Sequence, residues 1–453
     1  MTLDPVRFDE AAPRARAVAR SISETGVTVV AVRDFLGRFT LLLDDRGTPL
    51  DTEQVESWRA QLRERLGDYA SEEPLLLGSD LFAPESLLES PRRVLAPEAH
   101  ERGGNVYLLD NTVVGEDWSK VASPARGAGS GETSTARTAL YGFKGGVGRS
   151  TATYLLGRHL AGQGRCVLIV DLDLESPGAG PLLLNDDHIP AYGVVDYLVE
   201  AAVGSVDDLD LVVRASHVSL EGNGELWVAP ARGGGLRASQ DPPYSYVDKL
   251  NRVYADVPRA GAGPMSFADR LEDAVSACER RVADLSRQPD VVLLDSRAGI
   301  HDIAAVAISR LCDLALLFGA DNAQTWRGYE DLFREWQESG QAEKIREKLR
   351  VVASMVPANR REEYLESFRD HAAQVFSLLY DDVTAGGDEQ DAFNPSLEDD
   401  SAPHAPLWIL FATDLVGLDS TRTPDWCDQP YVQTAYADFL RAAGRLVMNE
   451  DNP

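Results

Sequence analysis

Residues 141–151 read YGFKGGVGRST; they continue an apolar run that starts TALYGF at residue 138, and a helical pattern, ATYLLGRHLAG, follows. Strand, glycine loop and helix in that order suit an anion. Gly145, Gly146 and Gly148 let successive backbone N–H groups curl around a phosphate, and the helix N-terminus adds its partial positive charge. Val147 completes the loop between them. Ser150 stands where a hydroxyl ligates Mg²⁺, and Thr151 where one reaches a nearer phosphate. The strict pattern G-x-x-x-x-G-K-[ST] fails twice, because Phe143 occupies the first glycine position and Arg149 replaces the lysine. A bare three-glycine turn is also compatible with a strand-to-helix turn that binds nothing, so the rest of the chain must decide.

Further carboxylates decide it. LIVDLDLESPG places Asp171 and Asp173 at the end of the next strand, and VVLLDSRAGI places Asp295 at the end of a later one. In an open α/β sheet the C-terminal ends of the strands line the ligand crevice. Three aspartates beside a glycine loop supply what Mg²⁺ and an attacking water require. Turn-capping aspartates are the blander reading of the same set.

Outward from this loop, short wholly apolar strands alternate with longer helices, the signature of a parallel sheet covered on both faces. Strands are expected at TALYGF 138, CVLIVD 166, ELWVAP 225, VVLLDS 291, LALLFG 314, RVVASM 350 and LWILFA 407. The fold class is therefore α/β, a doubly wound, mostly parallel sheet of about seven strands over residues 138–453. A small α+β domain precedes it over residues 1–118. It has helical spacing at 10–24, strands at 27–33 and 38–44 turning around Gly37, and a helix capped by Asp51 or Thr52 with Val55, Trp58, Leu62 and Leu66 on one face. Its last strand is NVYLLDN. Residues 119–137, containing SPARGAGSGETSTAR, read as a flexible linker. The insertion at 231–265 is rich in Gly and Pro and reads as surface excursion. The one at 381–403, with eight carboxylates and no basic residue, reads as a mobile loop.

With 44 basic and 73 acidic residues the chain carries a formal charge of −29. So negative a surface repels phosphate backbones and anionic headgroups, and no basic run offsets it, which disfavours nucleic-acid coating and membrane docking. The four cysteines lie far apart without a Cys-x-x-Cys pair, the seven histidines have no metal-ligand spacing, and no eighteen apolar residues run together. A cytoplasmic setting is expected. The last helix, with Val432, Tyr436, Phe439 and Leu446 in a stripe, is expected on the sheet, and Trp326 and Trp336 in the core. Only five basic residues are lysines, which makes Lys144 in the glycine loop notable.

KGGVGRS, DLD and DSRAGI together resemble the KGGxGK[ST], switch-I and DSPAGI motifs of the deviant-Walker-A ATPases, the ParA/MinD branch of phosphate-loop NTPases. GVVDYL at 193, LWVAPARG, TWRGYEDL and ASMVPANR extend the resemblance over about 137–450, but not into the first 120 residues. It implies an ATP- and Mg²⁺-dependent ATPase that closes as an ATP-dependent homodimer. Lys144 would then reach the partner's nucleotide, Asp173 would position the water, Asp171 would support the metal shell and Asp295 would hold a metal-bound water. The base would lie near Met355, Val356 and Pro357, with Asn359 as a polar contact. Arg149 departs from the family pattern and implies slow turnover. The expected function is a nucleotide-dependent dimer switch that controls a partner protein, reached through residues 1–118. The alternatives are a non-hydrolysing nucleotide sensor in regulation or defence, a ParA-like partition or positioning ATPase, which the charge disfavours, and an enzyme activating a small substrate with ATP.

Overall fold

The computed structural model describes residues 6–47, 50–96, 104–111, 116–122, 135–185, 187–216, 220, 222–234, 244–259, 262–381, 392–417, 423 and 425–449. The chain divides into two compact units, Met1–Val114 and Gly115–Pro453.

In the first unit the alternating residues of TVVAVR and FTLLLD form a hairpin, β1 (Thr28–Arg33) and β2 (Phe39–Asp44). Asp34 closes it by accepting the backbone N–H groups of Leu36 and Arg38, and Gly37 supplies the left-handed residue at φ +83°. With β3 (Ala70–Leu77), β4 (Val94–Leu95) and β5 (Val106–Asp110) they form a mixed sheet ordered β3-β2-β1-β5-β4. One face, through Val29, Ala31, Leu41 and Leu43, packs against the helices Phe8–Ser23 and Thr52–Leu66. Asp51 caps the second helix by accepting the N–H of Gln54, and Val55, Trp58, Leu62 and Leu66 are its buried stripe.

The second unit holds all seven expected parallel strands. They are β6 (Ala136–Gly142), β7 (Cys166–Asp171), β9 (Glu225–Ala229), β12 (Val291–Asp295), β13 (Leu314–Gly319), β14 (Leu349–Val356) and β15 (Leu407–Leu410), with a two-residue edge strand β8 (Val213–Arg214) antiparallel to β9. A small hairpin, β10 (Val257–Arg259) and β11 (Ala262–Met265), stands apart from this sheet, whose order is β15-β14-β13-β6-β12-β7-β9-β8. Both faces are covered, as wholly apolar strands require. Leu140, Ile169, Leu293 and Phe318 pack under the helices Arg149–Gly162 and Pro430–Val447, and Tyr141, Val170, Leu294 and Leu317 under those on the other side. The last helix thus lies on the sheet through Val432, Tyr436 and Phe439, with Leu446 only half-buried. Trp326 and Trp336 are core.

Two expectations change. Trp118 and Val121 belong to the second unit's core, not to a first domain ending at 118 and a free linker. The indole stacks near Tyr141 and Trp336, at 6.1 and 5.9 Å between ring centroids, and residues 123–134 of the expected linker lie outside the described ones. The insertion at 231–265 is also more than surface. Val253 is fully buried, and Tyr246 and Tyr254 pack against the core. Of the acidic loop, residues 382–391 lie outside the described ones.

Candidate phosphate-binding site

β6 ends at Gly142, and the next helix begins at Arg149. Between them the chain turns with Gly146 at φ +79° and Gly148 at φ +78°, a region that costs an L-residue about 1–2 kcal/mol. Lys144, Gly145 and Gly146 form the exposed rim of the loop. Val147 turns its side chain into the core, so what it offers a ligand is backbone. Phe143 has a packing reason for standing where the pattern has glycine. Its ring lies against Gly328, where a Cβ would come within 2.3 Å of it, and near the Tyr329 ring at 6.3 Å.

β12 lies between β6 and β7, and its register pairs Asp295 with Leu140 on one side and Asp171 on the other. The loop and two of the three aspartates therefore meet at one end of three adjacent strands. Into this cluster points Arg149, which is buried. Its Nε donates to Asp295 Oδ1 at 2.9 Å and its Nη2 to Asp173 Oδ2 at 2.9 Å. Burial opposes the guanidinium's charge, but Asp295 and Asp173 outweigh it and hold the pKa above its ordinary value. Burial raises the Asp173 carboxyl, and Arg149 pulls against that shift.

Asp171 does different work. One oxygen accepts the N–H of Asp173 at 3.1 Å, and the other accepts those of Gly178, Ala179 and Gly180 at 3.0–3.3 Å. It thereby shapes the loop that carries Asp173. Burial, reinforced by Asp295, pushes its pKa up to about 8 against these amides.

The other oxygen of Asp295, Oδ2, is buried without a hydrogen-bond partner. Ser150 is nearby, since a Cβ placed on Gly178 would lie 2.9 Å from Ser150 Oγ and 3.9 Å from Asp295 Oδ2. An orphaned carboxylate oxygen and a hydroxyl that border the same point fit a hard cation that brings its own waters and phosphate ligands. Among the described residues no three His, Cys, Asp or Glu side chains could hold a metal by themselves.

Met355, Pro357 and Asn359 lie at the C-terminal end of β14 and just beyond it, with β13 between β14 and the loop strand. Met355 is 39% exposed and at φ +58°, a backbone region uncommon for a residue other than glycine, whereas the Val356 side chain is buried. Sequence reading missed three residues here. Thr153 Oγ1 lies 3.5 Å from Asp295 Oδ1, one helical turn after Arg149; Tyr436 Oη would lie 3.4 Å from a Cβ on Gly148; and Glu175 joins the loops after β7 and β12. Only Thr153 had a sequence signal, its i+4 spacing from Arg149.

No helix among the described residues is long and apolar enough to cross a membrane. No curated protein matches the chain significantly. Among solved structures, the MinD cell division protein of Aquifex aeolicus is 18% identical, covering 68% of this chain and 97% of its own, with a TM-score of 0.40. Cobyrinic acid a,c-diamide synthase from Mycobacterium smegmatis, solved with ADP and magnesium, is 20% identical over 52% of this chain and 82% of its own, TM-score 0.35. A putative plasmid partition protein of Borrelia burgdorferi B31, bound to AMPPNP, is 12% identical over 70% and 100%, TM-score 0.41. The profile of the CobQ/CobB/MinD/ParA nucleotide binding domain matches residues 138–385, more than half of the 453. The glycine loop, the strand-end aspartates and this match together place the chain in the CobQ/CobB/MinD/ParA family of phosphate-loop nucleotide-binding domains.

Proposed function

We propose that the protein binds Mg·ATP, hydrolyses it slowly, and uses the bound state to close a homodimer that controls a partner protein. The observation that carries this reading is Arg149, the loop's cation, held between Asp173 and Asp295 at 2.9 Å from each. The amides from Gly145 to Gly148, with Ser150 and Thr151, would take the phosphates. Ser150 and the free oxygen of Asp295 would hold Mg²⁺, with Asp171 bracing the loop behind them. Bound magnesium would neutralise phosphate charge. Asp173 would orient the attacking water, and Met355, Pro357 and Asn359 would border the base.

Slow turnover follows from chemistry. Arginine keeps the charge but is bulkier than lysine, and its planar fork does not move as a compact point charge toward the transferred phosphoryl group. Here two donors of that fork are already engaged. Lys144, exposed on the rim, would reach a second copy's nucleotide, and residues 1–118 would pass the closed state to the partner.

A second reading, a nucleotide sensor that does not hydrolyse ATP, gains from the same ion pairs, since a guanidinium held by two carboxylates has less freedom to follow developing charge. Calorimetry with Mg·ATP and single-turnover hydrolysis by the purified protein separate the two. Binding with measurable cleavage supports the switch, binding without cleavage supports the sensor, and no binding removes both.

A further inference from the structure

Outside the phosphate cluster, one carboxylate joins three separate segments. Glu175 lies two residues beyond Asp173, on the loop after β7. Its Oε1 accepts the Tyr254 hydroxyl, its Oε2 is paired with the Arg297 guanidinium, and His301 Nε2 lies 3.6 Å from Oε1. Arg297 and His301 belong to the loop after Asp295, where the family motif has proline in place of Arg297. Tyr254 belongs to the insertion, and its ring meets that of His301 edge-on at 5.2 Å. A second tyrosine of the insertion, Tyr246, donates to the carbonyl of Leu174 at 2.5 Å.

Both loops are anchored, by different contacts. The one after β12 is tied to β6, because Gly299 N–H donates to the Gly142 carbonyl at 3.2 Å and the Tyr141 hydroxyl to the Gly299 carbonyl at 3.2 Å. The loop that carries Asp173 is held at both ends by Asp171 and at Asp173 by Arg149, and between those points Tyr246 holds Leu174 and Glu175 reaches the loop after β12. The Glu175 and Arg297 side chains are 23% and 30% exposed, but the atoms that pair, Oε2 and Nη1, are themselves buried. The pair ties the two loops to each other. A shift of about 1 Å in a reacting group costs up to roughly a hundredfold in rate.

We propose that Glu175 is a positioning residue for ATP cleavage: its carboxylate fixes the Asp173 loop against the loop that follows Asp295, and Tyr254 extends that hold to the insertion. This rests on the ATPase reading. The insertion then sits where a movement of its own is felt by Asp173 two residues away, which gives a role to a segment that the strand-and-helix pattern does not need.

The test uses full-length protein with Glu175→Gln, Tyr254→Phe, Arg297→Lys and Arg297→Met, and three readouts: hydrogen exchange of residues 172–180 without nucleotide, Mg·ATP affinity by calorimetry, and the single-turnover rate. Glu175→Gln should speed exchange in that segment and lower the rate about tenfold while affinity stays within about twofold, a split that falls on the chemical step. Arg297→Lys, which keeps the charge, should retain more of the rate than Arg297→Met. Should Glu175→Gln fail to fold, Tyr254→Phe, which removes one hydroxyl, decides by the same readouts. Unchanged exchange and rate, or a proportional loss of affinity and rate, would overturn the proposal. If the wild type binds no ATP, the ATPase reading falls and the role in cleavage with it, whereas unchanged exchange in Glu175→Gln with normal ATP cleavage refutes the joint alone.

Discussion

Arg149 and Asp295 form a buried ion pair, Nε to Oδ1 at 2.9 Å, between the first residue of the helix after the glycine loop and the last residue of β12. The same guanidinium holds Asp173 through Nη2. Lysine, with one ammonium, cannot keep both contacts in this geometry and would be freer to meet phosphate. Arg149→Lys should therefore raise the steady-state rate of phosphate release by about tenfold, equivalent to about 1.4 kcal/mol of barrier. A slower lysine variant would mean that Arg149 is matched to these two aspartates and that the slow-ATPase argument fails.

The loop glycines should differ sharply in tolerance. Gly148 is at φ +78° with the Tyr436 hydroxyl 3.4 Å from where a Cβ would stand, whereas Gly145 has nothing within 4 Å and is not in the left-handed region. Gly148→Ala should cost about 1–2 kcal/mol in chemical denaturation, and Gly145→Ala close to nothing. Gly148→Val, which also crowds the anion site, should abolish ATP binding in calorimetry.

Acid stability offers a check on the sheet's flank. Burial raises the Asp269 carboxyl, but the hydrogen bonds from Arg310 and Ser266 outweigh it and bring the pKa below its ordinary 3.8. The folded state then binds this proton more weakly than the unfolded chain. The stabilisation is present above about pH 3.8 and fades as pH falls through the folded value. Tm of the wild type should exceed that of Asp269→Asn at pH 6, with the gap closing below pH 3.8. A gap that widens in acid would reverse the sign of this argument.

Lys144 is exposed on the loop rim in a chain with only five lysines. If it reaches across to a second copy, saturating Mg·ATP should convert monomer to dimer in light scattering, and Lys144→Ala should block that conversion while leaving nucleotide affinity within about tenfold. A protein that stays monomeric with ATP, or is equally dimeric without it, contradicts the switch.

Seven strands of the large sheet were legible because each is built on a short, mostly apolar run, and the ends of three of them located the loop, Asp171 and Asp295. β3 was missed because ASEEPLLL carries exposed Glu72 and Glu73 at a sheet edge, and β8 because two residues leave no period to read. Trp118 was assigned to the wrong unit because its partners, Tyr141 and Trp336, lie far along the chain. The electrostatics of the site were the least legible part. Nothing local in KGGVGRS says that Arg149 would spend its fork on Asp173 and Asp295, or that Asp171 would use both oxygens on backbone amides. Those contacts are set by the register of β12 between β6 and β7.

The central claim is most directly tested by single-turnover cleavage of γ-labelled Mg·ATP by wild type and Asp173→Ala, with affinity measured in parallel. The account predicts slow cleavage by the wild type, and in the variant binding retained with cleavage lowered by about 10²-fold or more, as expected for loss of a proton-handling group. Absence of ATP binding by the wild type, or equal cleavage by both proteins, would contradict it.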